Sequence, residues 1–222
     1  KLVLKQLIDE VQLQIGSERR DRRGRISREI KMVRDEWLGE WMPKLVSEEI
    51  PINPYRVIWE LMHGVDRTNT IVTHDSGNPR DQMTPFYETI IPRGYIGWGN
   101  STQLGYSLGI SIGAKLASPE KTVIHLMGDA AVGMVGLDFE TAVRANAPII
   151  TIILNNGLMG GYRSKMPVAS ERHGTHLLGG DYMKFAESMG IYSIRVERPD
   201  DINISIQKAI EANKRGQSAL IE

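Results

Sequence analysis

The chain has 222 residues, a formal net charge of zero at pH 7 and no cysteine. This length allows one sizeable domain plus an appendage, and the balanced charge gives no global attraction to nucleic acid or to an anionic membrane. The absence of cysteine excludes disulfides and thiolate metal sites, and the longest apolar runs are far shorter than the roughly 20 residues of a membrane span. No signal peptide is visible, so we expect a cytoplasmic protein.

The first 51 residues differ from the rest of the chain. Apolar residues recur at helical spacing up to residue 15, and a second helical pattern covers about 27–41. The stretch between them, Ser17–Arg25, is rich in arginine. It is either a solvated linker or a patch that binds anions or nucleic acid; intermixed acids and the lack of interleaved aromatics favour the linker. Pro51 and Pro54 then mark a boundary, since proline disfavours helix before it.

From residue 52 onward, helical and strand patterns alternate. This alternation predicts an α/β domain over 52–222, a doubly wound parallel sheet with helices on both faces. The predicted helices cover about 54–65, 102–117, 134–145, 180–189 and 200–215. The predicted strands cover 70–74, a short segment before Gly97, 122–127, 149–155, 191–197 and the last residues, and the loops include 76–93, with room for one helical turn, and 157–178.

Polar side chains follow two neighbouring predicted strands. Asp129 comes after the first, and Asn155 and Asn156 end the second. Ligands of parallel sheets bind beyond the carboxyl ends of strands, where Asp75 also falls. Carboxylate and amide oxygens suit Mg²⁺, and the helix expected to open at Ala130 offers free N–H groups to phosphate. A Mg²⁺–diphosphate site is predicted, although Asp129 also suits a helix N-cap and Asn156 a turn.

The motif Gly128-Asp129-Ala130 with Asn155-Asn156 resembles the Gly-Asp-Gly…Asn-Asn signature of thiamine diphosphate enzymes. Further similarity lies in the segments 71–77, 97–114 and 137–144, and the resemblance covers roughly 52–222. It is closest to the acetolactate synthase-like branch. The third residue of the signature is usually glycine, and Ala130 adds one methyl while keeping the same backbone N–H.

The resemblance implies thiamine diphosphate and Mg²⁺ as cofactors. The metal ligands would be the side chains of Asp129 and Asn156 and the main-chain carbonyl of Leu158. Leu104 would be the apolar wedge that holds the cofactor bent, although a core leucine fits the same pattern, and Thr102 would offer its carbonyl to the 4′-amino group. The full set of implied cofactor contacts is Gly77, Asn78, Thr102, Gln103, Leu104, Gly128, Asp129, Ala130, Ala131, Asn156, Leu158 and Met159.

The segment that follows the metal motif has two interpretations. In relatives it faces the substrate, which would bring Tyr162 and Arg163 to a small-molecule substrate, and its glycines suit a mobile lid. A flexible surface loop is the alternative. Acetolactate synthases carry a tryptophan here that this chain lacks, which puts that activity itself in doubt. His173 and His176 are spaced as a metal pair but have no third ligand nearby in the sequence.

The family also requires a glutamate on a pyrimidine-binding domain, and no segment of this chain matches that domain. The resemblance therefore implies half of an active site, completed by a pyrimidine-binding domain of the same or another chain in a homodimer or homotetramer. We expect this chain to be a piece of a longer polypeptide, inactive alone, acting on a 2-keto acid or a 2-hydroxyacyl compound. The alternatives are a non-catalytic assembly subunit and a dinucleotide-binding domain, the latter disfavoured because no Gly-x-Gly-x-x-Gly turn follows the first strand.

Overall fold

The chain divides into two compact units, Lys1–Pro43 and Lys44–Glu222. The computed structural model describes residues 1–15, 23–97 and 103–222. Most of the Arg-rich stretch and the segment 98–102 lie outside these described residues. The interpretation of that stretch and the role of the Thr102 carbonyl therefore stay predictions.

The described part of the first unit is helical, as its apolar spacing predicts. Helix α1 spans Leu2–Ile15, and α2 spans Arg23–Leu45. No residue of α1 is buried. Helix α2 is longer than predicted, and ion pairs one turn apart support it, such as Arg25–Glu29 with a nitrogen–oxygen distance of 3.3 Å.

The second unit contains a sheet of six strands, all parallel, in the order β2-β1-β3-β4-β6-β5. The strands are β1 Thr70–His74, β2 Tyr95–Ile96, β3 Thr122–Gly128, β4 Ile150–Leu154, β5 Tyr192–Ile194 and β6 Ala219–Ile221. The helices are α3 Pro54–Gly64, α4 Asn78–Met83, α5 Tyr106–Ala117, α6 Asp129–Val135, α7 Asp138–Arg144, α8 Tyr162–Lys165, α9 Pro167–His173, α10 Tyr182–Glu187 and α11 Asp201–Lys214.

Both faces of the sheet are covered, which explains why its central strands are almost continuously apolar. Helices α5 and α10 contact one face, and the core there includes Val123, Met127 and Ile153. Because side chains alternate along a strand, Ile124 and Leu126 face the opposite side, where α3, α4 and α11 lie. The predicted α/β fold with a doubly wound parallel sheet is confirmed.

Several element boundaries differ from the prediction. One helix was expected over 134–145, whereas α6 begins at Asp129 and a turn at Gly136 separates it from α7. Gly136 is buried, and a Cβ there would lie 2.7 Å from the Val132 carbonyl and 2.8 Å from Phe185. Helix α5 begins only at Tyr106, because Gly105, with φ of 89°, has a left-handed conformation that a right-handed helix does not include. The predicted loop 157–178 contains the short helices α8 and α9.

Candidate functional site

The ends of β3 and β4 meet at the carboxyl edge of the sheet. Gly128 is in register with Leu154, so Asp129 and Asn155 are the first residues beyond two adjacent strands. Asp75 follows β1, and its N–H donates to the Leu126 carbonyl at 2.8 Å. The sequence motifs on these three strands therefore come together in space, as expected of a parallel sheet.

The carboxyl group of Asp129 is buried at this edge. The residue is 2% exposed, and its Oδ2 has no hydrogen-bond partner among the described residues. Burial raises the pKa of this carboxyl, and the backbone N–H groups of Ala130, Gly157 and Leu158 offset part of that effect. A buried carboxylate oxygen that lacks a donor is costly, and a bound cation would remove that cost.

The segment after β4 is held in a compact turn beside Asp129. Asn156 Oδ1 accepts a hydrogen bond from the Leu158 N–H at 3.0 Å, and Asn155 Oδ1 accepts one from the Gly157 N–H at 3.0 Å. Each is an Asx turn, in which an asparagine side chain bonds to the backbone two residues later. The amide oxygen of Asn156 keeps a second lone pair, so the turn is compatible with metal ligation.

A single antiparallel bridge orients Leu158. It pairs Leu158 with Leu177, and the bonds that frame it run from Met159 N–H to the His176 carbonyl at 2.9 Å and from Leu178 N–H to the Gly157 carbonyl at 2.8 Å. In such a non-hydrogen-bonded pair, the N–H and C=O of Leu158 point away from the partner strand. The Leu158 carbonyl therefore points to the same side as the Leu158 N–H, which donates to Asn156 Oδ1.

A cavity of ≈ 920 Å³ opens at this edge of the sheet. Ten of the predicted cofactor residues line it: Gly77, Asn78, Leu104, Gly128, Asp129, Ala130, Ala131, Asn156, Leu158 and Met159. Gln103 is exposed and does not line it, and neither do Tyr162 and Arg163. Gly77 has φ of 79° with open space where a Cβ would be, which allows a ligand to approach its backbone.

The donor set fits a magnesium ion with a diphosphate. All three predicted metal ligands present oxygen, which Mg²⁺ prefers, and few protein ligands leave room for phosphate oxygens. The N-terminal residues of α6, Asp129 to Ala131, line the same cavity as Gly77 and Asn78. Backbone N–H groups from two separate segments can therefore face one anionic ligand.

Two parts of the cavity wall were not predicted from the sequence. One is apolar and comes from the segment Ile50–Pro54 and from Ile202 and Ile206 of α11. The other is charged: Glu222, whose side chain is 8% exposed, bonds Arg195 Nη2 at 3.0 Å. Glu222 Oε1 also accepts from Asn155 Nδ2 at 2.8 Å. Sequence spacing gives no signal for this link, because each of its members directly follows a different strand.

Other predicted features take no part in the cavity. Asp75 is fully buried and does not line it. No cluster of three His, Cys, Asp or Glu suited to a metal ion occurs within 1–15, 23–97 and 103–222, so His173 and His176 find no third ligand of those types there. Within the same ranges, no helix has the length and apolar character needed to cross a bilayer.

Comparison with known proteins agrees with this geometry. The family model described as "Thiamine pyrophosphate enzyme, C-terminal TPP binding domain" matches residues 75–222. The chain is 30% identical to a probable acetolactate synthase large subunit of Methanococcus aeolicus, over 96% of this chain and 37% of that protein.

Two further relatives show the same partial coverage. The mitochondrial acetolactate synthase catalytic subunit of Saccharomyces cerevisiae is 30% identical over 80% of this chain and 28% of its own length. The acetolactate synthase isozyme 3 large subunit of Escherichia coli is 25% identical over 85% of this chain and 33% of its own. The chain thus spans about a third of the length of these relatives.

Proposed function

We propose, from the premise that this chain belongs to the thiamine pyrophosphate enzyme family, that it forms the Mg²⁺- and diphosphate-binding half of an active site. The single observation that carries the proposal is the buried Oδ2 of Asp129, which has no partner among the described residues and lies in a cavity shared with Asn156 and Leu158. A cation at this point would satisfy the oxygen and would hold a diphosphate against the start of α6.

Each group of residues has a defined task in this proposal. Asp129, Asn156 and the Leu158 carbonyl hold the Mg²⁺, and the backbone of Gly77 and Ala130 binds the diphosphate. Leu104, which lines the same cavity, would contact the ring part of the cofactor. The cofactor, when bound, would stabilise negative charge on the former carbonyl carbon of the substrate, and the protein would position it and exclude water.

The proposed reaction makes or breaks a carbon–carbon bond in a 2-keto acid or a 2-hydroxyacyl compound. Its support is the name shared by the relatives, acetolactate synthase. Decarboxylation, carboligation and lyase cleavage remain alternatives within this class, because specificity depends on loop contacts and on a pyrimidine-binding domain. We propose that this domain comes from the same or another chain, in a homodimer or homotetramer.

The test is calorimetric titration of thiamine diphosphate into the full-length protein, with and without Mg²⁺. Binding should require Mg²⁺ and should be lost in Asp129→Ala, because the variant removes the charged ligand. Asp138→Ala is the matched control, since Asp138 is an exposed acid at the start of α7 and should leave affinity unchanged. Mg²⁺-independent binding, or equal affinity in Asp129→Ala, would exclude the proposed site.

A non-catalytic subunit that keeps this fold is the second candidate. Ala130, which replaces the usual glycine of the signature, favours it, since this residue lines the cavity and carries an added methyl. The two candidates differ in turnover: a full-length protein that binds Mg²⁺ and thiamine diphosphate yet converts no 2-keto acid in a substrate screen would favour the subunit. Gain of turnover in Ala130→Gly would identify the methyl as the cause.

A further inference from the structure

The first turn of α5 is capped by the carboxylate of Asp75, the residue that follows β1. Its own N-cap residue, Gly105, has no side chain to offer. Asp75 instead accepts from the Gly105 N–H, at 2.9 Å to Oδ1 and 3.1 Å to Oδ2. The Ser107 N–H points to the same Oδ2 at 3.4 Å. A buried negative charge at a helix start satisfies free N–H groups and is favourable with respect to the helix dipole.

A chain of hydrogen bonds runs outward from this carboxylate. A carboxylate only accepts, so the hydroxyl of Ser107 donates to Asp75 Oδ2. Ser107 Oγ must then accept from His125 Nε2, 2.6 Å away. This assignment leaves His125 Nδ1 as an acceptor, facing Thr151 Oγ1 at 3.5 Å. The chain thus links the end of β1 and the start of α5 to the centres of β3 and β4.

His125 is suited to this fixed role. It is fully buried, and burial lowers the pKa of its imidazole to about 3. A neutral ring has one N–H donor and one acceptor, and both face partners in the chain of bonds. The geometry alone therefore fixes the tautomer and the direction of every bond up to Asp75.

The same segment positions Leu104. Gly105 adopts a left-handed conformation with φ of 89°, and a Cβ there would lie 2.5 Å from Val135 Cγ1. The Gly105 backbone is held by the Asp75 carboxylate on one side and packs directly against Val135. Leu104, the preceding residue, is half-buried, packs against the core and lines the cavity. Movement of the Gly105 backbone would displace Leu104 with it.

We propose that Asp75, Ser107 and His125 form a buried positioning chain that fixes Leu104 where the ring part of a bound thiamine diphosphate lies. The inference rests on the proposed function and assigns work to residues that do not line the cavity. They are positioning residues, since none faces the ligand. The chain should matter for binding of the rings and not for binding of the diphosphate, which Asp129 and the α6 start hold.

The test compares two ligands on the full-length protein: thiamine diphosphate with Mg²⁺, and inorganic diphosphate with Mg²⁺. Ser107→Ala should weaken binding of thiamine diphosphate about tenfold, as loss of a hydrogen bond to a charged group is worth roughly 1.5 kcal/mol. It should change the affinity for inorganic diphosphate less than about twofold. Asp129→Ala should abolish binding of both ligands.

Ser111→Ala is the matched control. Ser111 is another buried serine of α5, one turn further on, and its hydroxyl donates to the Ser107 carbonyl at 2.7 Å without reaching Asp75. Its loss should cost similar stability and leave both affinities within about twofold. Melting temperatures of the cofactor-free variants confirm that both are folded.

A second pair of variants approaches the chain from its other end. His125→Leu removes the donor to Ser107 and should reproduce the selective loss even if Ser107→Ala fails to fold. His125→Gln keeps an N–H donor and should restore most of the affinity for thiamine diphosphate. Wild-type protein that binds neither ligand would refute the proposed function. If the wild-type protein binds both ligands, the positioning chain alone is refuted when Ser107→Ala and His125→Leu lose affinity equally for the two ligands or lose none.

Discussion

Asp75 and Asp129 show how two aspartates at the ends of adjacent strands acquire different tasks. Both are buried. The Asp75 carboxylate is surrounded by donors from Ser76, Gly105 and Ser107, whereas Asp129 keeps one oxygen without a partner among the described residues. The sequence predicts that both lie at strand ends, because strand patterns precede them. It does not predict which is satisfied, since two of the three donors to Asp75, Gly105 and Ser107, lie 30 and 32 residues further along the chain.

Gly105 should tolerate no side chain. Gly105→Ala places a Cβ 2.5 Å from Val135 at a positive φ, and the left-handed conformation alone costs roughly 1–2 kcal/mol for a residue with a Cβ. We expect the free energy of unfolding to fall by at least about 2 kcal/mol, with the clash included. Urea denaturation followed by circular dichroism measures this change.

Gly109→Ala is the control on the same helix. Gly109 lies inside α5 with nothing within 4 Å of its Cβ position, so alanine should stabilise the protein by about 0.5–1 kcal/mol through its higher helix propensity. Equal effects of the two substitutions would mean that the tight contact with Val135 does not exist.

The buried His125 should make the protein less stable in acid. Its pKa is about 3 in the folded chain and near 6.5 when unfolded, so between these values only the unfolded chain binds the proton. The contribution of His125 to the free energy of unfolding is therefore fully present above about pH 6.5. It is lost as the pH falls toward 3, by up to about 1.4 kcal/mol per pH unit. Urea denaturation between pH 7 and pH 5 should show this slope.

The contribution of His125 is isolated by substitution. In His125→Gln, the slope of the free energy of unfolding against pH should decrease, whatever the stability of the variant at neutral pH. His74, whose pKa burial also lowers, contributes in the same direction and is unchanged in the comparison. Replacement of the exposed His63 by Gln serves as the control. An unchanged slope in His125→Gln would show that the imidazole is already protonated in the folded protein or reaches solvent.

At the scale of elements, strands were easier to predict than the polar segments between them. The apolar runs that form β3 and β4 are unambiguous, because a strand buried on both faces needs continuous apolar residues. Helix α6 starts one residue before the predicted opening at Ala130, whereas the break at Gly136 between α6 and α7 was not predicted, since it depends on packing against the distant Phe185. Helices α8 and α9 were missed because they have 4 and 7 residues, too few to show a periodic apolar face.

The segment that carries α8 and α9 should become protected when the cofactor binds. It is anchored beside the proposed ligand Leu158 through the bridge to Leu177, and its Arg163, Lys165 and Arg172 are exposed to trypsin. If the segment closes over the ligand as a lid, Mg²⁺ with thiamine diphosphate should slow cleavage at these residues several-fold. Limited proteolysis with peptide mapping of the full-length protein measures the rates.

Cleavage within α11 provides the internal reference. Lys208 is exposed on a helix that packs against α3 and β6, so trypsin reaches its backbone only when the domain opens. Protection confined to 163–172 would identify lid closure. Equal protection at Lys208 would mean that the ligand stabilises the whole domain and that the segment is a surface loop.

For the whole molecule, the candidate site is a cavity with walls of different character. The cavity combines the oxygen ligands near Asp129 with an apolar wall from Ile50–Pro54 and α11. The relatives are about three times as long as the part that matches this chain. Sequence alone indicates the family and the metal motif, because these reside in short local segments. It does not show which surfaces would complete the site, since the proposal assigns them to a pyrimidine-binding domain.

We therefore expect the 222-residue chain alone to have no turnover. The proposed mechanism needs a glutamate from a pyrimidine-binding domain to activate the cofactor. Among described residues, the acidic side chains that line the cavity are Asp129, Glu197 and Glu222. Asp129 is assigned to the metal, and Glu222 is bonded to Asn155 and Arg195.

Purified chain mixed with Mg²⁺, thiamine diphosphate and pyruvate should release no CO₂ above the protein-free rate. The full-length protein, assayed in parallel, shows whether pyruvate is a substrate. Turnover by the isolated chain would mean that one of its own groups, Glu197 first among them, activates the cofactor.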